Sequence, residues 1–107
     1  MKGFSGGMAQ LMKQANQMQG KMKKAQDELA TREYEATSGG GAVTVKITGE
    51  YKMVSLTVKE DVMKAGDVEM LQDLILTATN EAVKTARETS QKEMEKITGG
   101  MNVPGLF

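Results

Sequence analysis

The first 26 residues carry Lys2, Lys13, Lys21, Lys23 and Lys24 and no acid. Neutral Gln10, Gln14, Asn16, Gln17 and Gln19 stand among them, and the first acid is Asp27. A helix built only for solubility interleaves Glu with Lys three or four residues apart, because each opposite pair adds a few tenths of a kcal/mol. That support is missing here. Unpaired cations along one segment suit a large anion, and a row of phosphates is the commonest one. The formal net charge of zero, taken alone, argues against a nucleic-acid binder. The charge is uneven, however: the remaining residues hold 9 basic and 14 acidic side chains, so a +5 segment is offset by a −5 body. This is the pattern of a basic arm on an acidic domain.

Other chemistries find few candidates. There is no His and no Cys, so no nucleophile-and-base arrangement stands out and no thiolate is available. Glu33 and Glu35 would share one strand face, as many solvated pairs do, and no enzymatic activity is expected. Gly39-Gly40-Gly41 leads into a strand, and no Lys-Ser/Thr pair follows it, so it reads as a turn and not as a phosphate-binding loop. The ten Met residues read as packing, since a soft-metal site would normally be assisted by His. No metal, cofactor or small-molecule substrate is expected. Without Cys there are no disulfides, which fits a reducing compartment. No stretch approaches the roughly 18 apolar residues of a membrane span, and the amino terminus has no apolar run of signal-peptide length. The default expectation is a cytoplasmic protein that does not engage a membrane.

The elements that must position the lysines follow from hydrophobic spacing. Ala42 to Lys59 is the only part in which apolar residues alternate. Val43, Val45 and Ile47, then Val54, Leu56 and Val58, define one buried face of a β-hairpin broken at Gly49-Glu50. Thr31 to Ser38 alternates weakly and reads as a third, edge strand, giving an antiparallel meander within residues 31–59. Before it, Met8, Leu11, Ala15, Met18, Met22, Ala25 and Leu29 form an unbroken a/d heptad seam, predicting a helix over 8–30 after a flexible start at 1–7. In that register Lys13 is at f, Lys23 at b, Lys24 at c and Lys21 at g, all off the seam.

After a polar loop at 60–66, Asp67 is placed to cap a helix over 67–98. Its apolar stripe is Leu71, Leu74, Ile75, Ala78, Ala82, Val83 and Ala86. Beyond Arg87 the stripe fades, so the second half of this helix is expected to project into solvent. Gly99 fits its C′ position, and the tail 99–107 is expected to be flexible. The fold class is α+β, one domain over 1–107: a long N-terminal helix, a three-stranded antiparallel meander and a long C-terminal helix. The expected core and dimer residues are Val43, Val45, Ile47, Val54, Leu56, Val58, Leu71, Leu74 and Ile75. One thin sheet layer leaves open edges and uncovered apolar stripe, and pairing two copies removes both.

The opening MKGF with its Gln/Met/Lys-rich helix, the SGGGAVTVKITGEYKMVSLTV core, LQDLILTATNEAVKTARE and the closing GGMNVPGLF together resemble the YbaB/EbfC family of bacterial nucleoid-associated proteins. The resemblance covers essentially the whole chain, in order. It implies a tweezer-like homodimer whose sheets form a central body and whose helices extend as arms that bind duplex DNA with little sequence preference. It further implies association with the nucleoid and altered expression of many genes. Carried onto this chain, the arms put Lys13, Lys21, Lys23 and Lys24 of the first helix, and Lys84, Arg87, Lys92 and Lys96 of the second, against DNA. Glu81, Glu88, Glu93 and Glu95 interleave with the latter set. The competing reading is a protein-interaction adaptor or chaperone that uses the Met-rich seam as an adaptable contact. Salt separates the two, because phosphate contacts weaken steeply with ionic strength and apolar ones do not.

Overall fold

The structure is a computed structural model that describes the backbone of residues 2–99 and the side chains of residues 7–99. The expectations for Met1 and for residues 100–107 lie outside the described residues. In chain order the elements are α1 (Lys2–Thr31), β1 (Glu33–Ser38), β2 (Val43–Thr48), β3 (Met53–Val58), α2 (Glu60–Ala65) and α3 (Val68–Thr98). The three strands form an antiparallel meander in the order β1-β2-β3.

Two boundaries differ from the sequence reading. The helical backbone of α1 begins at Lys2 and not at Met8, because no proline interrupts the opening and glycine weakens a helix by only about 1 kcal/mol per residue without forbidding it. The polar loop at 60–66 holds the single-turn helix α2, with Glu60 and Asp61 in its first turn, Lys64 in its last and Gly66 closing it in the left-handed conformation. A Lys64–Glu60 ion pair at 3.4 Å spans its exposed face. Asp67 caps α3 by accepting a hydrogen bond from the Met70 amide at 3.0 Å. Gly99, with φ 66°, closes α3 by donating its N–H to the Glu95 carbonyl.

The core lies between α3 and the sheet face carrying Val43, Val45 and Ile47, all essentially inaccessible. Burying each such side chain stabilises the fold by roughly 1.5–3 kcal/mol. Ala78, Ala82 and Ala86 form the row on α3 that meets them, and Tyr34 and Ala36 of β1 complete the cluster. Three small residues one turn apart let the helix approach the sheet closely. Leu71, Leu74, Ile75, Val83 and Val58 are half-buried around this cluster.

Val54 and Leu56 stay outside the core of the single chain. Two causes act. The β2–β3 register shifts after Lys46: Lys46 opposes Ser55 but Ile47 opposes Met53, so Val54 occupies a bulge and Met53 takes the place that strict alternation assigns to it. Leu56 opposes Val45 on the core face, but α3 packs on β1 and β2 and leaves Leu56 44% exposed.

The second half of α3 also departs from expectation. It does not project freely: α1 packs along it, with Met22 and Leu29 of α1 buried and Met94 and Thr98 of α3 buried. The seam of α1 supplies the apolar partner that the polar sequence after Arg87 lacks. The result is an elongated body of 78 × 19 × 18 Å, in which the second half of α1 packs along the second half of α3.

Gly49 ties this arm to the sheet. Its N–H donates to the Arg32 carbonyl at 3.0 Å, and a β-carbon at this position would overlap the backbone carbonyl of Leu29 at the end of α1. Gly49→Ala is therefore expected to destabilise the protein by about 3 kcal/mol, since backbone on both sides must move apart. Urea denaturation with an unchanged m-value would report it.

Candidate nucleic-acid interface

The site begins with the seam, because what α1 buries decides what it presents. With Met22 and Leu29 turned to the protein, Lys13, Lys21, Lys23 and Lys24 are all exposed. Helical spacing puts Lys13 and Lys24 on the side opposite the seam, about 17 Å apart along the axis at 1.5 Å per residue. A duplex presents one phosphate charge per roughly 1.7 Å, so an aligned helix of that reach runs past about ten phosphates. Among the described residues the ion pairs are Lys64–Glu60 and Lys96–Glu93. Among those residues no carboxylate engages any of the four α1 lysines, which leaves each exposed to an external anion.

The basic residues of α3 are placed differently. Lys84, Arg87, Lys92 and Lys96 are all exposed, but Lys96 pairs with Glu93 at 3.6 Å. Glu81 and Glu88 stand three residues before and four after Lys84, and Glu88 stands four before Lys92. This helix therefore presents alternating signs where α1 presents one. The two sets do share the same elongated arm, brought together by the α1–α3 packing, so α1 supplies the larger part of its positive field.

A second feature is apolar. Among the described residues no strand lies beside the outer edge of β3, and Met53, Val54 and Leu56 are 49%, 51% and 44% exposed. The flank of α3 beside this edge can be assigned from its other side. There Ser38 Oγ donates to the Leu74 carbonyl at 2.6 Å, and a β-carbon on Gly39 would meet the Leu74 side chain, which fixes that flank over the end of β1. Helical spacing then turns Val68 and Leu76 to the β3 side, and both are exposed. Met53 and Leu56 of β3 and Val68 and Leu76 of α3 are thus apolar residues left uncovered on this side of the single chain. Of these, Leu56 alone stands among the residues singled out in the sequence. The adjacent pair Met53-Val54, two apolar residues inside an alternating strand, is the signal that could have disclosed the bulge. Leu76 carries a similar signal as an apolar residue off the main stripe.

Among the described residues there is no cluster of metal-ligating side chains and no helix long and apolar enough to cross a membrane.

Three comparisons bear on this geometry. The YbaB/EbfC DNA-binding family profile matches residues 4–101 of the chain. A Clostridium novyi protein named as nucleoid-associated is 53% identical over 107 residues, covering 98% of this chain and 94% of that protein. An Alkaliphilus metalliredigens protein of the same name is 50% identical over 111 residues, covering 99% and 97%. Among solved structures, an uncharacterized protein from Helicobacter pylori superposes with a TM-score of 0.70 at 22% identity, over 85% of this chain and 96% of its own, which bears on the fold alone.

Proposed function

This chain belongs to the YbaB/EbfC DNA-binding family, and from that premise we propose that it is a nucleoid-associated protein that binds duplex DNA as a homodimer. It acts in the cytoplasm on the nucleoid and influences nucleoid organisation and gene expression. Binding runs mainly through Lys–phosphate contacts with little sequence specificity. The observation that carries this reading is the α1 surface: Lys13, Lys21, Lys23 and Lys24 exposed on one arm, with no carboxylate among the described residues engaging them. The chain offers no basic recognition helix with Asn or Arg at base-reading spacing, so backbone contact is the mode the residues support. Lys84, Arg87 and Lys92 add to the same arm, and Lys96, held by Glu93, adds least.

The dimer is supported by these uncovered apolar residues. An exposed strand edge carrying Met53 and Leu56, with Val68 and Leu76 uncovered on the same side of the chain, is a liability that pairing with a second copy removes. An isologous contact there extends the sheet across a two-fold axis and carries the two basic arms away from it. Doubling the arms doubles the phosphate contacts without any new chemistry.

The test is fluorescence anisotropy of a labelled random-sequence duplex across a salt series. Eight α1 lysines per dimer give a log–log slope approaching −7, at about 0.9 per phosphate neutralised. Unrelated duplex sequences of equal length should bind within a few-fold of one another. A flat salt response, or no binding at low salt, overturns this reading and favours the adaptor function, in which apolar contacts dominate.

A further inference from the structure

The seam of α1 is longer than the surface that covers it. Met22 and Leu29 are buried and Met18 is half-buried, but Met8 and Leu11 are 58% and 62% exposed and Ala15 is exposed too. The described part of α3 ends at Thr98, and the a/d pattern of α1 continues beyond it. Met12, at an e position beside this run, is 63% exposed. A seam with this 3-4 spacing is shaped to receive another helix.

The flanks indicate which helix. In coiled-coil contacts, charged e and g positions choose a complementary partner and reject like-charged ones. Along the exposed run e is Met12 and g is Gly7 and Gln14, all neutral, and the first charged flank, Lys21 at g, lies beyond it beside buried Met22. Lys13, at f, points away from the seam. Two identical copies can therefore face each other without repulsion while their lysines stay turned outward. The size of the patch adds a condition. A stable protein–protein contact needs about 1,200 Å² or more of buried surface, which four small-to-medium side chains per copy do not provide. Two copies held on one DNA molecule meet at an effective concentration near the millimolar range, where a weak contact suffices.

We propose that the exposed seam of α1, Met8, Leu11, Met12 and Ala15, pairs with the same seam on a neighbouring dimer and so links dimers along DNA. This rests on the DNA-binding reading above, and it adds a second, homotypic interface at the tip of the arm.

The full-length protein tests it with two random-sequence duplexes, one that holds a single dimer and one that holds several. The variant Met8→Gln/Leu11→Gln keeps charge and helix propensity and alters only exposed positions. It should bind the short duplex as the wild type does, but lose cooperativity and bind the long duplex about tenfold more weakly. Because the chain has no Cys, Gln14→Cys gives a single thiol for a bismaleimide. One thiol per chain gives a two-chain product, which should form on the long duplex, be absent on the short duplex that holds a single dimer, and vanish in the Met8→Gln/Leu11→Gln background.

Unchanged cooperativity in that variant with no such products overturns the proposal. A two-chain product that forms equally on the short duplex overturns it in favour of closure between the arms of one dimer. Products that form only after removal of residues 100–107 would assign the seam to that segment instead. Failure of the wild type to bind even the short duplex overturns the DNA-binding reading and this proposal with it, whereas failure of the seam alone leaves single-dimer binding intact.

Discussion

Replacing Lys21, Lys23 and Lys24 together by Glu is expected to abolish measurable DNA binding near 100 mM salt while leaving the protein folded and dimeric. All three are exposed and, among the described residues, free of ion pairs, so their removal strips no packing and orphans no buried carboxylate there. On DNA the change acts twice per arm, deleting a cation and adding an anion that faces phosphate. Six lysines per dimer account for about 5 in the log–log salt slope at 0.9 each, and their loss alone corresponds to at least a thousandfold in affinity. Anisotropy against a random-sequence duplex reads the loss; circular dichroism and sedimentation confirm that fold and assembly survive. Loss of the dimer instead would mean that these lysines are structural. The same substitution at Lys92 and Lys96 should cost far less, because Glu88, Glu93 and Glu95 already offset these residues and Lys96 is occupied by Glu93.

That contrast also shows how much of the site the sequence disclosed. The heptad register of α1 places its lysines off the seam without any coordinates, since a helix fixes side-chain direction once its buried stripe is known. The strand alternation of Val43, Val45 and Ile47, the Asp67 cap and the Gly99 stop are similarly local. They depend on residues within one element, and the structure has each of them. The pairing of α1 with the polar half of α3 was not legible. Met94 and Thr98 are buried by a helix more than sixty residues away in sequence, and a polar stretch gives no periodic sign of that partner.

The fate of β3 escaped sequence reasoning for a related reason. Alternation says which residues of a strand share a face, and Leu56 does lie opposite Val45 on the core face. It does not say how many strands one helix can cover. α3 spans two, so the third keeps Met53, Val54 and Leu56 in the open and only Val58 half-buried. The Met53-Val54 bulge then moves one position off the pattern, which period-two counting cannot see.

Val45 and Leu56 are cross-strand partners in opposite circumstances, and this separates folding from assembly. Val45→Asp places a carboxylate where the side chain has no solvent access, in the apolar cluster under α3. The cost, about 5 kcal/mol or more, is comparable with the whole stability of a small domain, about 5–15 kcal/mol. Unfolding or a collapse of Tm is expected by calorimetry and circular dichroism. Leu56→Asp is a different experiment: with 44% exposure in the single chain, the new carboxylate stays solvated and the monomer keeps its core. In the proposed dimer the contact would close over it, and the two-fold axis would repeat the charge. The dimer dissociation constant should rise by two orders of magnitude or more, about 3 kcal/mol. Sedimentation equilibrium would show a folded monomer, and DNA affinity would fall with it because one arm then binds without the other. A Leu56→Asp protein that remains a stable dimer would move the dimer contact away from β3. A Val45→Asp protein that remains folded would refute the core itself.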